Sequence, residues 1–446
     1  MYYGFNGTNW FRLQTQTDIA LIVDAAPKKG FVLRFRADKP FLSLDEEVQK
    51  VIDLHNQFGT SSKEFNVIFT ANIDVEAYTM FDAIDELIQA GVNLVCVEAG
   101  NEYYSREQAN FDFDYYRLKF EPLRQLLLDH YHNIPFSIFV APRPKDSDIL
   151  GGRSEHTTFN NAVAEYMKTA PAKDGVSVHI YYGGNEAPVI INPLEKQDIR
   201  EQEFNKAAED YYRSMYQDAE SSGLWHDTIQ YFTGKFEGRD IWITEFGFNS
   251  AGTLKNTLAY AASMFSIWVE WHDHPSIKAL CEHNGISPTN TGCITPVDVE
   301  LDDYEGVNAP RTSYYAFQCA SNLFNTNEGV FPYNTIEYAN EVTAQVPDSK
   351  RIVSAVAKNV TGKYYYSSSG KAPFMSRRSD RSYEIDGVKE LPLAINGNVV
   401  SGLVPENSFG VIVVETIDIV EPPKPRWCRL CERYKIFQIL GLCKDC

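Results

Sequence analysis

Eight short apolar segments recur between the N-terminus and about residue 285, and stretches of helical period separate most of them. The segments are Tyr3–Asn6, Phe31–Arg36, Phe65–Asn72, Val92–Gly100, Pro135–Ala141, Gly175–Tyr182, Asp240–Phe246 and Ile277–Asn284. They are rich in β-branched and aromatic residues, as strands buried on both faces of a sheet must be. Among the intervening patterns, Phe81, Ile84, Leu87 and Ile88 fall at i, i+3, i+6 and i+7 and line one helix face. Further helical patterns lie near Leu44–Phe58, Tyr115–His130, Phe159–Lys168, Glu201–Ser221, Leu254–His272 and Arg311–Phe324. This alternation predicts an α/β protein whose parallel sheet closes into a (β/α)8 TIM barrel over residues 1–330. The competing doubly wound sheet would carry a Gly-rich phosphate turn after its first strand, and none is seen.

The pattern changes near residue 335. Arg351–Val360, Lys363–Ser368, Glu390–Ile395 and Phe409–Ile417 are strand-like, separated by Gly, Asn, Ser and Pro, and no helical period appears. A small antiparallel β-domain over residues 335–420 is the expectation. Residues 421–425, with three prolines, then read as a stiff extended linker.

The last module, residues 426–446, holds Cys428, Cys431, Cys443 and Cys446 as two Cys-x2-Cys knuckles. That spacing suits a structural zinc ion on four thiolates, and so short a segment needs such a staple to fold. Two disulfides are the alternative. Four thiolates leave no open position on the metal, so this zinc would not be catalytic, and no cofactor is expected for catalysis. The module reads as a docking tag whose apolar side chains meet a protein partner or a second copy. Cys96, Cys281, Cys293 and Cys319 are scattered and read as reduced thiols.

The charge, −19 with no basic tract, argues against nucleic-acid or anionic-membrane partners, which are held largely by Lys and Arg. The N-terminal residues show neither a basic n-region nor an apolar h-region, and no apolar run is long enough to span a bilayer. The expectation is a cytoplasmic protein, or a virion-associated one if phage-encoded.

Two strand segments stop abruptly on a glutamate. One runs Val97-Glu98-Ala99-Gly100-Asn101-Glu102, the other Ile241-Trp242-Ile243-Thr244-Glu245-Phe246-Gly247. In a parallel barrel, chemistry gathers at the carboxyl ends of strands. Two glutamates there can face each other across a pocket and share glycosidic cleavage. Strand alternation places Leu94, Cys96, Glu98, Gly100 and Glu102 on one side. His179 and Tyr181 share a parity on the sixth strand, and the tyrosine hydroxyl can orient a carboxylate. Arg34 and Arg36 share a parity on the second, one facing a carboxylate or an acidic sugar and the other closing an ion pair. Each feature alone also suits a solvated strand end or an ordinary core residue.

Together, Glu98-Ala99-Gly100-Asn101-Glu102, Thr244-Glu245-Phe246-Gly247 and His179-x-Tyr181 resemble the clan A retaining glycoside hydrolases. The resemblance implies that Glu102 is the acid/base with a raised pKa, Glu245 the nucleophile and Asn101 the partner of the sugar 2-hydroxyl. It also implies that Tyr181 orients the nucleophile, while His179 and one of Arg34 or Arg36 line the pocket. The two carboxyl groups should stand about 5–5.5 Å apart. The chain departs from that pattern where Tyr103-Tyr104 follows Glu102 in place of a frequent proline. Its eighth strand ends on Cys281-Glu282-His283, without the tryptophan that often forms a sugar platform. Glu282 then joins the candidate substrate-binding residues, and Trp225, Trp268, Trp271 or one of the many tyrosines becomes a candidate platform. The function expected is retaining hydrolysis of a poly- or oligosaccharide. The alternative is a carbohydrate-binding or structural component of an assembly such as a phage tail, built on a glycosidase-like barrel. A metal-dependent hydrolase fits less well, because no strand end offers a His-x-His or His/Asp cluster.

Overall fold

The structure is a computed structural model. It describes residues 1–7, 16–106, 110–146, 152–182, 224–248, 258–272, 274–283 and 285. Further on it describes the strands and the one helix given below. The helix expected at 201–221, the linker and the cysteine module lie outside the described residues, as does Cys293.

Eight parallel strands close a barrel in chain order: β1 Tyr2–Asn6, β2 Phe31–Phe35, β3 Asn66–Thr70, β4 Asn93–Glu98, β5 Phe136–Phe139, β6 Gly175–Tyr182, β7 Ile241–Phe248 and β8 Ile277–Glu282. The ring shuts where Tyr2 to Phe5 pair with Ala279 to Glu282. Around it lie α1 Gln16–Ala25, α2 Leu44–Phe58, α3 Ala77–Gln89, α4 Phe113–His130, α5 Ser154–Met167, α6 Leu224–Lys235, α7 Leu258–Trp271 and α8 Thr312–Asn325. The eight expected barrel strands all appear, and α2 has the bounds its periodicity predicts. Helices α1 and α6 are not among the helical patterns given above. Beyond α8, strands β11 Val330–Thr335, β13 Ala355–Tyr366, β14 Lys389–Glu390 and β17 Ser408–Asp418 pair antiparallel, in the order β11-β17-β13-β14. Strands β12 Asn340–Gln345, β15 Leu393–Asn396 and β16 Val399–Val404 form a second antiparallel set, and β9 Ile294–Thr295 pairs with β10 Ala309–Pro310. β13 is continuous across the two segments read separately, with an irregularity between Ala357 and Asn359.

Two apolar layers hold the barrel. Outside, strand side chains such as Phe31, Phe69, Val97 and Phe246 pack against helix residues such as Leu87. Trp268 and Trp271 belong to this layer, with Phe246 edge-on to Trp268 at 4.8 Å. Trp225, Trp268 and Trp271 are therefore core residues, which corrects their reading as a sugar platform. Inside, Val32, Ile68, Val95, Cys96, Trp242, Ala279 and Cys281 plug the amino-terminal end, with Tyr2 stacked on Trp242. The free thiols Cys96, Cys281 and Cys319 are buried, as expected. Gly4 is required by sterics: a Cβ there would stand 1.7 Å from the Val32 carbonyl oxygen. Among the described residues no helix is long and apolar enough to cross a membrane.

Candidate active site

With its lower end filled largely by apolar side chains, the barrel gathers its charged groups at the carboxyl-terminal mouth. Asn6, Arg34, Thr70, Glu98, His179, Glu245 and Glu282 are all buried there. Simple alternation does not predict this set. On β4, Leu94 pairs with Val67 but Cys96 with Ile68, so Val95 is an extra residue and a β-bulge. Leu94 consequently faces the helices, while Val95 and Cys96 both enter the interior. On β7, Ile243 faces Val178 and Glu245 faces His179, leaving Thr244 as the extra residue. Trp242 points inward, so without this bulge Glu245 would point outward with Ile243. Bulges re-aim side chains beside functional sites, and this one turns Glu245 into the mouth.

Glu245 is 5% exposed and is held on both oxygens. Asn6 Nδ2 and Arg34 Nη1 donate to Oε1 at 2.9 and 2.6 Å, and the Tyr181 hydroxyl donates to Oε2 at 2.5 Å. His179 Nδ1, His283 Nε2 and Arg36 Nη1 lie at 3.4, 3.6 and 3.6 Å. Burial pushes this carboxyl up. The charges of His179, His283, Arg34 and Arg36 outweigh that and hold it far below the ordinary carboxylate range. Glu245 is thus a buried, ionised, oriented carboxylate. The Tyr181 hydroxyl is pushed up, by burial first and then by Glu245, so it keeps its proton and stays a donor.

Arg34 is fully buried and organises the floor of the mouth. Besides Glu245 it donates from Nε to Glu98 Oε2 at 2.5 Å, from Nη2 to Asn101 Oδ1 at 2.8 Å and from Nη1 to Asn6 Oδ1 at 3.3 Å. Glu98 Oε2 also accepts from the Thr70 hydroxyl at 2.6 Å. Arg36 is spent on Asp38, donating from Nε and Nη2 at 2.5 and 2.9 Å. Of the two arginines, Arg34 hydrogen-bonds the carboxylates of Glu98 and Glu245, while Arg36 hydrogen-bonds Asp38 and stands 3.6 Å from Glu245.

β4 stops at Glu98, and the chain then bends through Gly100 at φ 77°. Asn101 and Glu102 therefore do not continue the strand, and Glu102 itself sits in the left-handed region at φ 46°. Its carboxyl still reaches the mouth: Oε1 lies 2.9 Å from Nδ1 of buried His179, and the side chain is 37% exposed. The expected upward pKa shift is corrected. Burial does push the Glu102 carboxyl up, but the hydrogen bond and charge of His179 outweigh it and leave it below the ordinary value. Glu282, at the end of β8, is buried in register with Phe5 and Phe246.

The structure thus brings Asn101, Glu102, His179, Tyr181, Arg34, Arg36 and Glu245 together. Asn6, Glu98, Thr70, Asp38 and His283 complete the network, and the sequence assigns none of them a role there. The available signal was that Asn6, Thr70 and Glu98 close otherwise apolar strands. Among the described residues there is no group of three or more His, Cys, Asp or Glu side chains placed to hold a metal ion. Cys428, Cys431, Cys443 and Cys446 lie outside those residues.

A closed parallel barrel with buried carboxylates at its carboxyl-terminal mouth defines the architectural class. No protein-family model and no curated protein sequence matches the chain. Solved structures do resemble it. A family 51 α-L-arabinofuranosidase from Bifidobacterium longum superposes with a TM-score of 0.57 at 9% identity, over 93% of this chain and 95% of that one. A glycoside hydrolase family 30 subfamily 8 xylanase from Clostridium acetobutylicum gives 0.48 at 11% identity, over 93% and 96%. The catalytic domain of a family 30 xylanase from Talaromyces cellulolyticus gives 0.49 at 10%, also over 93% and 96%. The first likeness, at 9% identity, is one of fold.

Proposed function

We propose that the protein is a retaining glycoside hydrolase, with Glu245 as nucleophile and Glu102 as acid/base. The observation that carries this reading is a buried ionised glutamate, oriented on both oxygens, facing a second and more exposed glutamate across His179. The His179 Nδ1 atom is 2.9 Å from Glu102 Oε1 and 3.4 Å from Glu245 Oε2. Those two oxygens are at most the sum of these distances apart, so both carboxyls can reach one glycosidic bond. In the retaining reading Glu245 attacks the anomeric carbon directly. The glycosyl–enzyme ester so formed is hydrolysed by a water that Glu102 deprotonates, after the same residue has protonated the leaving oxygen. Asn101, fixed by Arg34, presents its amide to the sugar 2-hydroxyl. A bound sugar would cover the exposed part of Glu102 and remove water from it, moving its pKa back towards that of a working acid.

Aryl α-L-arabinofuranosides, β-D-xylosides and β-D-glucosides, followed by a glycan panel, form the screen. On the active sugar, Glu102→Ala should lower kcat/KM by about 10²–10⁴-fold with a poor leaving group. With 2,4-dinitrophenolate, which leaves unprotonated, the loss should be far smaller. Equal losses on both would remove Glu102 from the acid role. His179→Ala tests the pKa assignment. Without that ring both carboxyls lose a group that lowers them, so both limbs of the pH profile of kcat/KM should move to higher pH. A profile unchanged in position would mean that His179 does not set either group.

The alternative, a binding or structural role in an assembly, predicts saturable sugar binding with no turnover by any glycan tested. The zinc module stays part of the proposal as a structural tag. Metal analysis of reduced protein should find one zinc per chain, and its absence would remove the tag.

A further inference from the structure

We propose that Tyr103, anchored on Asp74, is a positioning residue that holds the Glu102 backbone in its left-handed conformation. The inference rests on the acid/base reading of Glu102. A non-glycine residue in that region costs about 1–2 kcal/mol, so its neighbours must hold it there. The proline that often follows the glutamate in the resembling family is absent, and the restraint here comes from side chains.

Glu102 caps a single 3-10 turn, Tyr103–Ser105, whose Ser105 amide and hydroxyl both donate to the Glu102 carbonyl at 3.0 and 2.9 Å. The two tyrosines of that turn are both buried. The Tyr104 ring lies among Phe111, His156 and Phe159. The Tyr103 ring stacks on Tyr116, 5.4 Å between centroids, and the Arg106 guanidinium lies 4.9 Å from its centroid. Tyr116 is itself tied to the end of β4, donating its hydroxyl to the Ala99 carbonyl at 2.6 Å.

The Tyr103 hydroxyl donates to Asp74 Oδ1 at 2.6 Å, and Arg106 Nη1 donates to Oδ2 at 2.8 Å. Lys119 Nζ of α4 stands 3.5 Å from Oδ1. Asp74 belongs to the loop after β3, so this carboxylate clasps both ends of the turn to the neighbouring strand's loop. Losing the clasp lets Glu102 leave the left-handed region and carries its carboxyl away from the leaving oxygen. Misplacements of that kind cost rate in the step that needs the proton.

The experiment compares Tyr103→Phe, Asp74→Ala and Glu102→Ala on a phenyl and a 2,4-dinitrophenyl glycoside of the active sugar. Tyr103→Phe should lower kcat/KM on the phenyl glycoside by about 10-fold. On the dinitrophenyl glycoside it should change kcat/KM by less than about twofold, since that step needs no proton. Asp74→Ala should repeat this split, and adding it to Tyr103→Phe should give little further loss. Asp74→Asn, which keeps the acceptor for the hydroxyl, should restore most of the rate. Asp74 is partly exposed, so its variants carry the test if Tyr103→Phe does not fold. If Glu102→Ala splits the two substrates while Tyr103→Phe and Asp74→Ala lower both equally or neither, the positioning role is overturned. If Glu102→Ala shows no split, the acid assignment falls, and this proposal falls with it.

Discussion

Glu245→Ala is expected to lower kcat/KM on the active glycoside by at least about 10⁴-fold, as removal of a covalent nucleophile does elsewhere. The loss should appear with good and poor leaving groups alike, because every substrate needs attack by Glu245 whether or not its leaving group needs a proton. Azide makes the assignment stereochemical. In Glu245→Ala it can occupy the space the carboxylate leaves and attack the anomeric carbon from that side, so the glycosyl azide should have inverted configuration. In Glu102→Ala the ester still forms and azide displaces it from the opposite face, so configuration should be retained. The reverse pattern would exchange the two roles. The fold should survive the first substitution, since Arg34 keeps Glu98 at 2.5 Å and Asn101 at 2.8 Å. Retention of more than about a tenth of wild-type activity by Glu245→Ala would end the reading of Glu245 as nucleophile.

The barrel was legible because eight two-sided apolar strands have few other ways to be buried, and their order in the sequence is their order in the sheet. The glutamates were legible because an acidic residue ending an apolar strand is conspicuous. Their aim was not. Alternation sends Glu245 to the side opposite Trp242, and only the extra residue Thr244 turns it inward. Nothing in the run Trp242-Ile243-Thr244-Glu245 announces a bulge, because bulges are set by pairing with both neighbouring strands. The same limit hid the bulge at Val95 and the left-handed turn at Glu102, where no glycine marks the position. Arg34 was read as one of two equivalent arginines. What separates it from Arg36 is that Asp38 lies two residues beyond Arg36 and takes its guanidinium. The pKa of Glu102 was misjudged for a related reason. A carboxylate near a second carboxylate suggests a raised pKa, but the ring of His179, brought by another strand, decides the sign.

Arg34→Met is expected to be the most destabilising single change in the mouth, by about 3–5 kcal/mol at neutral pH. The guanidinium is fully buried and compensates two buried carboxylates, so its loss leaves Glu98 and Glu245 buried and short of a counter-charge. The pH dependence follows from the direction of the shifts. In the native protein both carboxyls lie below their ordinary 4.5, so their ionisation stabilises the fold above that pH and the contribution is lost on acidification. Without Arg34, burial is less opposed and both pKa values rise. A carboxyl raised above its unfolded value does the reverse, costing stability at neutral pH and relieving that cost as it binds its proton. The gap between wild type and variant should therefore be widest near pH 7 and narrow towards pH 4. Urea melts at both pH values measure this, and a gap of the same size at both would show that lost packing, rather than lost charge, sets the cost. Arg34→Lys should recover part of the stability but little of the turnover. An ammonium restores the charge, yet it cannot reach Glu98, Glu245 and Asn101 in the fixed geometry of the guanidinium fork.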